Sequence, residues 1–373
     1  MKQNLRFGSS VFLGASILGM ALSTPSIAHV RYSQHAQVVD PEHALLKSVN
    51  HHSEWIVDHV SSLGYEVYGP TGLFQQLGRM GLQYAPVVEK VAQGSSAQYP
   101  TAEQSIQQMQ DLQKQYPDLI QLTEIGKSIE GRSLMFARVT APAQKGTKMD
   151  ARPEFKYVAN MHGDEIVGRE MMVKLMADLA SNYGKDQRIT KLMDSVQIYI
   201  MPSMNPDGAT HRVRFNADGA DLNRSFPDFT SDNVNTTDNR EPEVQAMMKF
   251  EAKHHFKLSA NFHGGSEVVN YPWDTSSDPH PQDNLVRQLS LDYAQRVPYI
   301  YNSTEFEHGI TNGYAWYEVD GGMQDWSSHW YNDLQVTIEV TEIKWPSYST
   351  VEGTYQANRD ALLAFIEDIS QVP

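Results

Sequence analysis

With 45 Asp and Glu against 30 Lys and Arg, the 373-residue chain carries a formal charge of −15, which argues against nucleic acid or an anionic membrane as partner. It has no cysteine, so no disulfide can staple it and no thiolate can ligate a metal. Stability must come from a large apolar core, and the length suggests one large domain plus a smaller module.

The first 28 residues read as a secretory signal. Lys2 and Arg6 give a basic start, residues 11–22 are apolar, and Ser26-Ile27-Ala28 offers small residues for cleavage. The apolar run is shorter than the ~20 residues a membrane span needs. The protein is therefore expected to be exported, periplasmic or extracellular, with no membrane partner. Residues 29–53 are polar, His-rich and weakly periodic, which predicts a mobile arm. Residues 54–69 read as strand or helix, 71–80 as a short helix and 82–91 as a strand. Together these make a small α/β module, closed by a Gly/Ser/Ala linker at 93–98.

From Pro100 onward helix and strand alternate. Residues 101–116 carry Ile106, Met109 and Leu112 at helical spacing. Residues 123–129 and 134–140 read as paired strands around Glu130-Gly131-Arg132. The β-rich runs 155–160, 196–201, 258–262 and 335–340 are predicted central strands. Residues 165–181, 241–255, 284–296 and 354–369 are predicted helices. This alternation implies an α/β class with helices packed on a mostly parallel or mixed sheet. In such sheets ligands bind beyond the carboxyl ends of the strands.

Two of those ends carry chemistry. One strand runs into Asn160-Met161-His162-Gly163-Asp164-Glu165, another into Asn261-Phe262-His263-Gly264-Gly265. Taken alone, His162 and Glu165 also fit a strand-end histidine and a helix-capping acid. His263 in the same setting moves the balance to a metal. Two histidines and a carboxylate are a hydrolase zinc set that leaves a fourth position for water. The Gly264-Gly265 pair leaves room for a substrate backbone. His51-His52, and His254-His255 on a helix, are expected to be solvated. Glu339 sits in Val336-Thr337-Ile338-Glu339-Val340, where a carboxylate is costly unless paired, functional or turned to solvent. As a general base it would relay the proton of a zinc water to the leaving amine. Arg214 to Arg224 is a polar loop rich in Asn, Asp and Gly, and 202–208 is another loop; both lie outside the sheet.

Taken together, these motifs resemble the zinc metallocarboxypeptidase superfamily of carboxypeptidases A and B, most of all its regulatory D/E/N branch. The resemblance runs from about Tyr99 to the chain end. It rests on the 160–170 block, Pro202-Ser203-Met204-Asn205-Pro206-Asp207-Gly208, and Asp221-Leu222-Asn223-Arg224-Ser225-Phe226-Pro227-Asp228. It continues through 261–272, 309–313, 316–325 and Thr337-Ile338-Glu339-Val340. What it implies is a three-layer α/β/α sandwich around a mixed, mostly parallel twisted sheet of about eight strands, over a catalytic domain at 99–373, with one Zn2+ per chain. On this resemblance His162, Glu165 and His263 are the metal ligands, Glu339 is the base and Arg214 polarises the scissile carbonyl. Asn223 and Arg224 hold the substrate's terminal carboxylate, and Tyr317 closes over the C-terminal residue. Asp221 orients the first zinc histidine.

Gln324 stands at the position of the pocket base. Asp274 matches the acid that confers preference for C-terminal Arg or Lys, so peptide or protein C-termini are the expected substrates. Two departures stand out. No transthyretin-like β-sandwich follows the last predicted helix, and residues 29–98 faintly resemble the pro-domain of the A/B branch. Folded as one, that module would shield the cleft until removed. Other readings are a carboxypeptidase acting on cell-wall muropeptides ending in diaminopimelate, and a catalytically inactive peptide-binding relative.

Overall fold

The computed structural model describes residues 32–87, 99–143 and 151–373. The expected signal at 1–28 and the linker at 93–98 lie outside the described residues.

The N-terminal module runs β1 (Gln34–Val39), α1 (Leu46–Asn50), β2 (Ile56–Ser61), β3 (Gly64–Gly69), α2 (Leu73–Arg79) and β4 (Gln83–Pro86). Its strands form a four-stranded antiparallel sheet in the order β2-β3-β1-β4. The predicted arm is thus partly structured. Ala36 and Val38 are fully buried against Tyr65, Val67 and Leu77, while His35, Gln37 and the exposed Val39 lie between and beyond them. Three small or branched apolar positions among histidines and glutamines, without strict alternation, are too weak a pattern to signal a strand, and packing supplies the rest. The segment left open between strand and helix is a hairpin. At its turn Gly64 takes φ 144°, where a Cβ would lie 2.0 Å from Val38 O.

The larger unit continues with α3 (Ala102–Gln115), β5 (Ile120–Lys127), β6 (Ser133–Val139), β7 (Glu154–Ala159), α4 (Val167–Asn182), α5 (Gln187–Ser195), β8 (Gln197–Met201), α6 (Pro206–His211), α7 (Pro242–Glu251), β9 (Phe256–His263), β10 (Ser266–Tyr271), α8 (Asp283–Arg296), α9 (Pro298–Tyr301), β11 (Ile310–Asn312), α10 (Gly313–Trp316), α11 (Met323–Tyr331), β12 (Leu334–Thr341) and α12 (Val351–Glu367). Eight strands form one sheet, β11-β10-β12-β9-β7-β8-β6-β5. Its central neighbours β12, β9, β7 and β8 are parallel, and antiparallel pairs lie toward the edges.

Period-2 alternation sorts the strand residues onto two faces. Phe155, Tyr157, Ile198 and Ile200 pack with Met172 and Leu175 of α4, Leu289 of α8 and Leu362 of α12. Val158, Tyr199 and Met201 pack on the other face with Met247 of α7 and Trp326 of α11. The three-layer expectation holds. Lys156 faces the second layer, fully buried, with Glu251 Oε2 at 2.5 Å and Asp333 Oδ2 at 3.1 Å. Only paired charges are tolerated at such depth. Helix α7 ends at Glu251, so His254 and His255 follow the helix rather than ride on it, and His254 Nδ1 meets Glu154 Oε1 at 2.9 Å. The 202–208 loop includes the start of α6, capped by the Asn205 carboxamide accepting from Gly208 N–H at 2.8 Å.

Candidate active site

At the end of β7 the chain breaks away with Asn160 at φ 55°. Its amide Nδ2 donates to the carbonyls of His162 (2.9 Å), Gly163 (3.2 Å) and Glu165 (3.3 Å), folding the loop so that both ligand side chains face one point. Its Oδ1 accepts from Ser203 Oγ at 2.7 Å, which docks the 202–208 segment alongside. Gly163 N–H donates to Arg214 O at 3.1 Å, and a Cβ there would lie 2.0 Å from Gly208 C. Two motifs forty residues apart in sequence thus interlock, and glycine is required at the crossing.

His263, the last residue of β9, completes the cluster. Its Nδ1 lies 3.0 Å from His162 Nδ1 and 2.9 Å from Glu165 Oε2, and His162 Nδ1 lies 2.9 Å from Glu165 Oε1. His162 Nε2 faces Asp221 Oδ1 at 3.1 Å. When that nitrogen carries the proton, the imidazole turns a bare lone pair on Nδ1 toward the Glu165 carboxylate. Lone pairs from three buried side chains then converge, an arrangement that calls for a cation. His162, Glu165 and His263 are the group of metal-ligating type found among the described residues, all within 4.8 Å of one another. The donor set fits a zinc with an open position. The Gly264-Gly265 pair serves a turn: Gly265 takes φ 117° and donates to Thr341 O at 2.7 Å, reversing the chain from β9 into β10.

Around this cluster stand the other expected groups. Glu339 is half-buried on β12, paired in register with His263. Burial, helped by Glu165 and Asp58, pushes its carboxyl well above the usual range, and its Oε2 has no hydrogen-bond partner among the described residues. Arg214 is buried, with Nε donating to Asp221 Oδ2 at 2.8 Å. Its Nη1 lies 2.8 Å from Asp58 Oδ2, a charge contact not aligned as a hydrogen bond, so both Nη groups keep donors to offer. Asp221 therefore spans His162 and Arg214 with its two oxygens.

Asn223 Oδ1 accepts from Met323 N–H at 3.0 Å, and Arg224 Nη2 donates to Val57 O at 3.3 Å. Tyr317 packs, partly buried, against the core of the N-terminal module. Asp274 and Gln324 are buried, and Asp274 Oδ1 accepts from Asn270 Nδ2 (3.1 Å) and Gln324 Nε2 (3.0 Å). Burial, with Asp228 adding to it, pushes Asp274 up to about 7. A Cβ on Gly322 would meet Asp274 Oδ2 at 3.6 Å and Asn223 Oδ1 at 3.7 Å, so the pocket acid and the expected carboxylate holder flank one glycine.

Sequence reasoning missed several residues here. Asn270 braces Asp274, and a Cβ on Gly313 would lie 1.7 Å from Asp274 Oδ1. Asp325 Oδ2 fixes the backbone of the same turn, accepting from Asp274 N–H at 2.8 Å and Thr275 N–H at 2.9 Å. The quoted motifs contained all three, but without a role. Asp58 and Lys344, which meet at 2.5 Å beside Arg214, carried no signal beyond ordinary charged residues.

A family model described as zinc carboxypeptidase matches residues 105–361. Carboxypeptidase D of Homo sapiens is 37% identical over 281 residues, covering 69% of this chain and 20% of that protein. Carboxypeptidase M of Mus musculus is 38% identical over 286 residues, covering 70% of this chain and 63% of that protein. The chain thus spans about a fifth of the length of the carboxypeptidase D relatives it matches. Among solved structures, carboxypeptidase A from Helicoverpa armigera superposes with a TM-score of 0.72 at 18% identity, over 91% of this chain and 97% of that one. Thrombin-activatable fibrinolysis inhibitor gives 0.67 at 17% identity, over 91% of this chain and 98% of that one. These likenesses speak to the fold, and their span takes in the N-terminal module.

Proposed function

The chain belongs to the zinc carboxypeptidase family, and from that membership we propose that it is an exported enzyme releasing C-terminal Arg or Lys from peptides. Asp274 carries the specificity. It is buried, braced by Asn270 and Gln324, and forms no ion pair among the described residues. An incoming guanidinium or ammonium offsets the cost of that buried acid, and a neutral side chain does not.

Asn223, Arg224 and Tyr317 hold the terminal carboxylate and so fix the scissile bond beside Glu339. The Nη groups of Arg214 donate to the carbonyl oxygen as negative charge develops there. Glu339 takes a proton from the attacking water and passes it to the leaving amine. Asp221 holds His162 in one tautomer and Arg214 in one orientation. Zinc held by His162, Glu165 and His263 would supply Lewis-acid polarisation and lower the pKa of a water toward ~7.

Residues 29–98 act as an inhibitory module in this reading. Val57 O engages Arg224, and Asp58 engages Arg214, the two cations assigned to substrate. Burial would raise the Asp58 carboxyl, but Arg214 and Lys344 outweigh it and hold the group well below its ordinary value. Trp316 Nε1 donates to Val60 O of β2 at 2.9 Å, and His51, at the end of α1, meets Glu318 at 2.9 Å, anchoring the same module at the cleft.

Hydrolysis of blocked dipeptides ending in Arg, Lys, Phe or Glu, with and without a chelator, is the test. Chelator-sensitive release of Arg and Lys is expected; equal release of Phe would overturn the role of Asp274. An Asp58→Ala full-length chain should release Arg about tenfold faster or more, since it breaks a buried charge contact. An unchanged rate would overturn the inhibitory role. Amino-terminal sequencing of the exported protein, expected to begin near residue 29, checks the signal.

A further inference from the structure

Lys344 follows Glu339 by five residues, just past β12, and its ammonium group stands near the metal-ligating Glu165. It lies 2.5 Å from Asp58 Oδ2, 3.9 Å from Glu66 Oε2 and 4.0 Å from Glu165 Oε1, with its side chain only 16% exposed. It also sits 5.9 Å from the ring centre of Tyr68. Asp58, Glu66 and Tyr68 all belong to the N-terminal module. Within the catalytic unit the acids that act on Lys344 are Asp164, Glu165 and Glu339, and Glu165 faces the two histidines while Glu339 is the proposed base. Lys344 is therefore a cation whose nearest counter-charge, Asp58, comes from the segment that lies in the cleft, while the acids of its own unit serve the metal cluster and the proton transfer.

The direction of that segment orders the site. Val57 O meets Arg224, and the next side chain, Asp58, meets Arg214 and Lys344. Arg224 marks the terminal carboxylate and Arg214 the scissile carbonyl; Lys344 shares Asp58 Oδ2 with Arg214 and reaches within 4.0 Å of Glu165 Oε1, so it belongs to the metal side of that carbonyl and not to the carboxylate end. A Cβ on Gly265 would meet Lys344 Cε at 3.0 Å, which places the lysine beside the β9–β10 turn. The acid of the opposite pocket, Asp274, is braced instead by Asn270 and Gln324.

We propose that Lys344, with Arg214 beside it, is an anion subsite that selects substrates bearing a carboxylate on the residue preceding the one released. Asp58 occupies this subsite from the N-terminal module. The inference rests on the carboxypeptidase reading above and adds a second determinant of specificity at the other side of the bond. The carboxylate has two chemical sources: the side chain of an α-linked Asp or Glu, or the free α-carboxylate of a γ-linked glutamyl residue. Either places one negative charge within reach of a partly buried ammonium group, a strong charge-assisted contact.

The test uses the full-length chain and three blocked substrates, acyl-Glu-Arg, acyl-Gln-Arg and acyl-γ-Glu-Arg. Glu and Gln differ by the charge alone. Ratios of kcat/KM taken within one preparation cancel the fraction of chains whose module is displaced. The Glu-to-Gln ratio should be about tenfold, the factor expected of a hydrogen bond between charged groups. Lys344→Gln should bring the ratio to about one, and Lys344→Arg should keep most of it, a pattern that a merely structural lysine would not give. Preference for the α-linked or the γ-linked substrate identifies the carboxylate's source. A ratio near one in the unaltered chain, or a preference that survives Lys344→Gln, overturns the subsite. Cleavage of acyl-Gln-Arg reports the carboxypeptidase reading by itself, so the two fail separately. If neither the full chain nor its Asp58→Ala variant cleaves any of the three, both fall.

Discussion

One carboxylate, Asp221, holds a metal-facing histidine with one oxygen and the Arg214 guanidinium with the other. Such coupling fixes two groups for the entropy cost of ordering one side chain. Glu339 has no such partner on its Oε2 among the described residues, and burial beside Glu165 raises its carboxyl above the ordinary range, which favours taking a proton. Replacing it by Gln should lower kcat by about a hundredfold to ten-thousandfold, the range typical of a lost general base. Zinc content should stay at one per chain; loss of metal together with activity would mean that Glu339 helps to ligate. Asp274 gives a pH signature. Its carboxyl, pushed up to about 7, must be ionised to receive a cation. Below about pH 7 an incoming Arg has to expel a proton, so its KM should rise about tenfold per pH unit, and it should level off above. KM for a Phe-terminated substrate should not follow this slope, and Asp274→Asn should remove it.

Elements reach the site through crossings that a sequence motif records only as residue identities. Asn160 and Ser203 bind two loops together, and Gly163 lets the backbone at Gly208 lie against them. In the N-terminal module Gly64 plays the comparable part, since its φ of 144° and the nearness of Val38 O leave no room for a side chain. Gly64→Ala should therefore disrupt the β1–β3 pairing, which places β2 and its Asp58 in the cleft. The full-length variant is expected to show raised Arg release with an unchanged KM pH profile. Lower thermal stability without any gain in activity would count against the module as the barrier. The strands and long helices of the larger unit were legible because their apolar period is strong. β10 and β11 were not. Asn270 in the first is spent on Asp274, which breaks the hydrophobic run that would announce a strand, and the second, Ile310–Asn312, is too short to show a period.

At the scale of the molecule, two sheets meet with the site between them, and their charges close on each other. Arg214 and Lys344 from one unit share Asp58 of the other, while Lys344 also faces Glu66. Metal should add to stability as well as to chemistry, because His162, Glu165 and His263 otherwise crowd lone pairs together in a buried site. Thermal unfolding of chelator-stripped protein is expected at a lower Tm, restored by zinc. The gain is about 4 kcal/mol when free zinc stands a thousandfold above its Kd. A Tm indifferent to zinc would argue against the ligand set. The amino-acid sequence by itself determined the family and the α/β layering, and it named the three residues that meet as the metal-ligating cluster and the glutamate proposed as base. Each of these depends on contiguous motifs and on local periodicity, which are properties of short stretches of chain. The tertiary structure alone decided that Asp58 lies on Arg214, that Lys344 faces the cleft and that Asn270, Gly313 and Asp325 build the pocket around Asp274. Those contacts join residues tens to hundreds of positions apart, and an ordinary Asp or Lys acquires a role only from the burial and the opposite charge that folding brings to it.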